Sequence, residues 1–139
     1  MSIVLFYVLT FTWGLPMTLV GIMAALALTL VGNKSKGKYG YCTRFEVGEN
    51  WGGLSLGPVI ITCKDIDCDT LNHEHGHAIQ NCWFGFLMPF VVTIPSAVRY
   101  WYREFKYYHR GLLPTTTYDS IWFEGQATRV GTEFIEKHF

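Results

Sequence analysis

Residues 2–32 carry no charged side chain, and this run limits the possible folds more than any other feature of the chain. About 20 apolar residues cross a bilayer as a helix, so the run suffices for one tilted span and is too short for two. Gly14 and Pro16 interrupt it and predict a kink or short break near residues 13–17, which membrane helices tolerate. Ala25-Leu26-Ala27 resembles a signal-cleavage site. However, no Lys or Arg precedes the run, and the run is far longer than the apolar region of a signal peptide. The expectation is therefore a retained transmembrane anchor over residues 1–33. A buried core helix is the other option, but a chain of 139 residues has little room to bury so long an apolar element.

Composition points the same way. Half of the residues are hydrophobic, 17% are aromatic and only 16% are charged, which is too apolar for a typical small soluble domain. Formal net charge is zero, so no global attraction to nucleic acid is expected. Lys34, Lys36, Lys38 and Arg44 follow the first apolar run, and the opposite flank has no charge. The positive-inside rule then places residues 34 onward in the cytoplasm and predicts residence in the cell membrane.

Beyond the anchor, residues 34–139 form one expected domain. Tyr39, Tyr41, Thr43, Phe45 and Val47 recur with period two, and residues 48–53 are turn-rich. Val59-Ile60-Ile61-Thr62 is a β-branched run. Together these predict a small β-hairpin, with Gly57-Pro58 marking an edge or bulge. An edge strand there is suited to holding an extended peptide by main-chain hydrogen bonds. A polar connector, residues 64–70, offers Asp69 or Thr70 as the N-cap of a helix running to about Asn81. Cys42, Cys63, Cys68 and Cys82 form no C-x-x-C pair, and a cytoplasmic position argues for free thiols.

That helix contains His73-Glu74-His75-Gly76-His77. Histidines four apart share one helical face, so His73 and His77 can grip one Zn²⁺, and Glu74 is placed to take a proton from water on the metal. His75 points roughly opposite, as a surface or supporting residue and not a ligand. Residues 83–98 are a second uncharged apolar run, interrupted by Pro89 and Pro95 and followed by Arg99, Arg103, Lys106 and Arg110. Basic residues thus follow both apolar runs. One full crossing by residues 83–98 would put the C-terminal part opposite the histidines, so this segment reads as a bent element that dips into the membrane and returns. The mixture of Tyr100, Trp101, Tyr102, Tyr107 and Tyr108 with basic residues fits an interfacial belt better than a surface for single-stranded nucleic acid.

A catalytic zinc needs a third protein ligand and one open position. His109, Asp119, Glu124, Glu133, Glu136 and His138 are available. The most helix-like stretch is 118–137, with Asp119 or Ser120 as its cap. Glu124 stands there among large apolar neighbours, and a buried carboxylate needs a partner or a metal. Ala127, one turn on, permits close approach of a second helix. Glu124 is therefore the expected third ligand, while Glu133, Glu136 and His138 lie in a more polar, solvated tail.

His73-Glu74-x-Gly76-His77 followed by Glu124-x-x-Ala127 resembles the gluzincin arrangement of zinc metallopeptidases. More closely, the chain resembles a group of small bacterial integral-membrane proteins with an H-E-x-G-H motif. Leu15-Pro16-Met17-Thr18-Leu19, Ser55-Leu56-Gly57, His77-Ala78-Ile79-Gln80, Ile94-Pro95-Ser96 and Trp122-Phe123-Glu124 carry that likeness. The resemblance implies a metallopeptidase-like site with Zn²⁺ on His73, His77 and Glu124, and Glu74 as general base. A peptide or protein near the cytoplasmic membrane surface is the expected substrate, and Tyr118 or His109 the candidate oxyanion donor. Gluzincins often carry an acid four residues after the ligand glutamate. Here that position is Thr128, which can accept a hydrogen bond; otherwise Asp119 or a backbone carbonyl must orient the histidine. The expected architecture is an α+β membrane protein: anchor, hairpin, motif helix, bent apolar segment and C-terminal ligand helix. The rival reading is a zinc-binding scaffold or regulator without turnover. A metal-transport component would need ionisable groups inside the apolar runs, and there are none.

Overall fold

A computed structural model describes residues 1–33, 35–108, 111 and 118–139. The fold is mixed α+β: the described residues form five α-helices and a four-stranded sheet. Lys34, His109 and Arg110, all used in the sequence reading, lie outside the described residues.

The N-terminal apolar run does not form the expected single tilted helix. It divides into α1 (Ile3–Phe11) and α2 (Leu15–Leu30), which meet at 93°. The cause is local. Pro16 sits in the first turn of α2, where its missing N–H costs nothing but where a helix cannot continue through it. Thr18 Oγ donates to the carbonyls of Thr10 (2.6 Å) and Gly14 (2.9 Å), which fastens the break. No single helix among the described residues is long and apolar enough to cross a membrane. Two bent pairs are, by length and composition: α1 with α2, and Cys68–Leu87 with Pro89–Tyr107, the latter bent by 115°.

The expected single hairpin is two. β1 (Lys36–Tyr39) pairs antiparallel with β2 (Cys42–Glu46) across Gly40-Tyr41. β3 (Gly53–Leu56) pairs antiparallel with β4 (Val59–Thr62) across Gly57-Pro58. β2 and β4 then run parallel, giving the order β1-β2-β4-β3. Gly57-Pro58 is thus a two-residue turn and not an edge or bulge. Gly57 has φ +62°, the left-handed value that the first position of such a turn favours in glycine. β3 is one outer strand of the sheet.

α3 (Cys68–Phe84) carries the histidine motif and lies at the centre. Its N-cap is Asp67, not Asp69 or Thr70: the Asp67 carboxylate accepts from the Thr70 N–H at 2.7 Å and is held below its ordinary pKa by that bond. Nearly all of α3 beyond its first turn is buried, including Asn72, Glu74, His75, His77, Gln80 and Asn81. Buried polar groups require partners, and here several tie α3 to another element. Asn72 accepts from the Tyr39 hydroxyl, Gln80 donates to the Phe123 carbonyl, and Asn81 donates to the Gly14 carbonyl. His75 is fully buried, which corrects its reading as a surface or supporting residue of the site. Its Nε2 accepts from the Tyr41 N–H at 3.2 Å, its ring stacks on Phe134, and burial pushes its pKa down to about 4. It is a neutral strut between α3 and the β1–β2 turn.

Apolar packing flanks α3 on two sides. Phe6, Cys42, Ile60, Ala78 and Cys82 join α1, the sheet and α3. Met17, Leu56, Met88, Val92 and Phe123 join α2, the sheet and the elements after α3. Those elements are a 3-10 turn at Gly85–Leu87, a π turn at Pro89–Thr93 and α4 (Ile94–Arg103), so residues 83–98 are bent as expected. A 3-10 turn at Tyr118–Ser120 leads into α5 (Trp122–His138), whose N-cap is Ile121 and not Asp119 or Ser120. All four cysteines are free thiols.

Candidate metal centre

α3 and α5 cross at very close range. A Cβ on Gly76 would overlap the Ala127 carbonyl, and one on Gly131 would overlap the Asn72 carbonyl. Glycine at both positions lets the backbones touch, and Ala127 is fully buried in the contact. This contact carries Glu124, one turn before Ala127, up to the histidine face of α3.

There, three donor atoms converge. His73 Nε2 lies 3.1 Å from His77 Nε2, His77 Nε2 lies 3.1 Å from Glu124 Oε2, and His73 Nε2 lies 3.1 Å from Glu124 Oε2. A zinc ion with bonds of about 2.0–2.1 Å to nitrogen and oxygen sets tetrahedral ligand atoms about 3.3–3.4 Å apart. The observed triangle is within about 0.3 Å of that edge length, so the three residues fit a metal ion. All three sequence-expected ligands are brought together. The other candidates are not: Glu133, Glu136 and His138 are exposed on the far part of α5.

The hydrogen bonds behind each ligand fix which atom faces the centre. Gln80 Nε2 donates to the Phe123 carbonyl (2.8 Å) and to Gln126 Oε1 (2.9 Å), so Gln80 Oε1 is the end that meets His77 Nδ1 at 2.8 Å. An oxygen only accepts, so His77 keeps a proton on Nδ1, and Nε2 is the atom that faces the centre and is available to a metal once deprotonated. His73 Nδ1 meets Thr128 Oγ at 2.7 Å, and Thr128 Oγ donates to Asp119 Oδ2 at 2.7 Å. Thr128 and Asp119 thus act in series behind His73, where the sequence offered them as alternatives. Ser96, reaching in from α4, donates to Glu124 Oε1 through a short hydrogen bond.

Charge follows from this geometry. Burial alone would raise the Glu124 pKa, but hydrogen bonds from His73, His77 and Ser96 and the charge of His77 hold it far below the ordinary carboxylate value. Burial alone would lower His77, but its bond to Glu124 and the charges of Glu74 and Glu124 outweigh this and raise it. Glu74 is 6% exposed; burial raises its pKa against the opposing pull of His77 and His73. Its carboxylate packs against Gly53 of β3, where a Cβ would strike it. Burial also pushes the Tyr118 hydroxyl up to about 12, so it stays protonated at neutral pH and can donate a hydrogen bond, 3.3 Å from Ser96 Oγ.

No protein-family model, curated protein or solved structure matches this chain. The reading of the site therefore rests on its own geometry.

His73, Glu74 and His77 line a cleft of about 720 Å³ between β3, α4 and the 118–120 turn. Gln80 and Ser96 entered the sequence reading only within the resemblance, without a role. Gln80 was within reach, since it lies three residues after His77 on the same helical face. Ser96 gives no local signal, because it meets Glu124 across 28 residues of chain.

The raised His77 pKa sets a pH dependence. The proton that the Glu124 and Glu74 carboxylates stabilise on His77 competes with a metal cation for Nε2. Metal affinity is expected to rise with pH through the region above 6.5 and to level off beyond the folded-state pKa of His77. Below that pKa it falls by about tenfold per pH unit for each proton displaced. Competition with a chelator of known affinity at a series of pH values measures this.

Proposed function

We propose that this chain is a membrane-associated, zinc-dependent peptidase of gluzincin-like design, and the observation that carries this reading is the triangle of His73, His77 and Glu124 donor atoms with Glu74 on the same cleft. Two imidazoles and a carboxylate, with one side open to a cleft, make a donor set suited to catalytic zinc. Zinc held there supplies a Lewis acid that lowers the pKa of water and polarises a carbonyl. The remaining work belongs to the chain. Glu74, with its proton affinity raised by burial, takes the proton of the attacking water and returns it to the leaving amine. Tyr118, protonated and in the cleft wall, donates to the carbonyl oxygen as negative charge develops there. The outer strand β3 carries Gly53 beside Glu74, and its free edge suits an extended peptide backbone.

Membrane association draws on the apolar surface. Val4, Val8, Met23, Leu26 and Leu30 on α1 and α2 are exposed, as are Phe90, Ile94, Val98 and Trp101 on the bent segment and α4. Surfaces of this extent mark membrane or partner contact. The bent pair α1–α2 suits an element that enters a bilayer and returns, and Lys36 and Lys38 after α2 favour a cytoplasmic site on the bacterial inner membrane.

Glu74→Gln tests the catalytic reading. The variant is expected to retain metal and to lose about 10²–10⁴-fold in peptide turnover, measured with internally quenched peptides. A non-catalytic zinc scaffold predicts metal retention and no turnover in either protein. The Thr128–Asp119 bond favours catalysis, because it provides the carboxylate behind His73 that Thr128 alone lacks.

A further inference from the structure

We infer that the cleft is built for internal, uncharged stretches of chain, with a bulky apolar side chain of the substrate seated against Ala97 of α4. This rests on the peptidase reading and names its substrate class. One wall of the cleft is Leu54 of β3, and the facing wall is Met88, Val92, Ala97, Tyr100 and Trp101. None of these side chains is ionisable near neutral pH. Ala97 is exposed between larger neighbours and leaves room where it stands.

Away from the histidines of the metal centre, the charged groups along the cleft all have one sign. Among the described lining residues there is no Lys or Arg, and the acids are Asp69, Glu74 and Asp119. A free C-terminal carboxylate seated along the apolar walls, away from the metal centre, would be desolvated without a counter-charge. A free N-terminal amine fares little better. Asp119 is engaged by Thr128, Glu74 serves the proton transfer, and Asp69 is exposed to solvent screening. A substrate whose ends lie outside the cleft meets neither problem.

β3 supplies a second, independent observation. Gly53 and Ser55 both line the cleft. Cys63 N–H bonds the Gly52 carbonyl, so strict alternation turns the N–H and C=O of Gly53 and Ser55 toward the open edge. An extended peptide laid along that edge meets the backbone N–H and C=O of Gly53 and Ser55 and directs alternate side chains toward α4.

The test is binding to the full-length Glu74→Gln chain loaded with zinc, which holds peptides without cleaving them. The probes are end-blocked octapeptides with a central Leu, Phe, Asp or Lys, titrated by calorimetry. Leu and Phe peptides are expected to bind about tenfold or more tightly than Asp and Lys peptides, in line with burial of one apolar side chain. Unblocking either end is expected to bring no gain. Adding Ala97→Trp should abolish the apolar preference, and adding Ala97→Lys should shift it toward the Asp peptide. Ala97 is exposed, so both variants leave the packed interior untouched; unchanged circular dichroism and metal content verify this. Equal binding of all four peptides, tighter binding of free-ended ones, or a profile indifferent to Ala97 would overturn the inference. Hydrolysis of the same peptides by the wild-type chain separates the two failures. The expected binding profile with no hydrolysis overturns the peptidase reading and leaves the apolar subsite standing. Hydrolysis without apolar preference does the reverse.

Discussion

Glu124→Ala is expected to reduce bound zinc from about one ion per chain to a small residue, and peptide turnover to background, while the chain stays folded. His77→Ala is expected to do the same. Each removes one of three donor atoms now 3.1 Å apart, and two remaining ligands cannot hold the ion against water. The loss exceeds the roughly 10–100-fold that removal of an outer hydrogen-bond partner costs. Glu124→Ala also strands the donor of Ser96 and removes one of the two carboxylates that raise the His77 pKa. Metal content of purified protein, measured by elemental analysis, decides between the ligand sets. Zinc lost from His77→Ala but kept by Glu124→Ala would assign the third ligand elsewhere, with Asp119, behind Thr128, one candidate.

The His73, His77 and Glu124 cluster was legible in the sequence to the extent that its rules are local. His73 and His77 declare themselves by helical spacing. Glu124 follows from the cost of a carboxylate among apolar neighbours, and it is indeed fully buried. The groups that aim these ligands were harder, since Ser96 reaches Glu124 from α4 and Asp119 reaches His73 only through the Thr128 hydroxyl. The sheet was partly legible. Period-two alternation located strand-forming residues, but the Gly40-Tyr41 and Gly57-Pro58 turns divide them into two hairpins, and the parallel pairing of β2 with β4 is a long-range choice that no local pattern encodes. The N-terminal run misled because hydropathy measures partition and not straightness. Gly14 and Pro16 predicted a break, but not that Thr18 would fasten it into a 93° corner. His75 misled for a related reason: α3 is buried on nearly all sides, so the face opposite the metal is no longer a solvent face.

The second large effect concerns Gly76, inside the motif itself. In an exposed helix interior, replacing Gly with Ala stabilises by about 0.5–1 kcal/mol, because alanine loses less backbone entropy. At Gly76 the sign should reverse. A Cβ there overlaps the backbone carbonyl of Ala127, and neither partner is a side chain that can swing away. Relief requires α5 to move off α3, which opens the Gly131–Asn72 contact as well. Overpacking of this kind costs about 1–3 kcal/mol and occasionally more. For a chain of this size that corresponds to a melting temperature lower by roughly 2–8 °C per kcal/mol. The displacement also draws Glu124 away from His73 and His77, so Gly76→Ala should weaken zinc binding although it touches no ligand. Thermal unfolding with and without zinc tests both consequences. A variant that melts higher than the wild type and binds zinc equally would mean that the helix spacing, and with it the ligand triangle, is not set by backbone contact at Gly76. A variant whose stability falls, and falls further in the presence of zinc than in its absence, ties the glycine of the motif to the geometry of the metal centre.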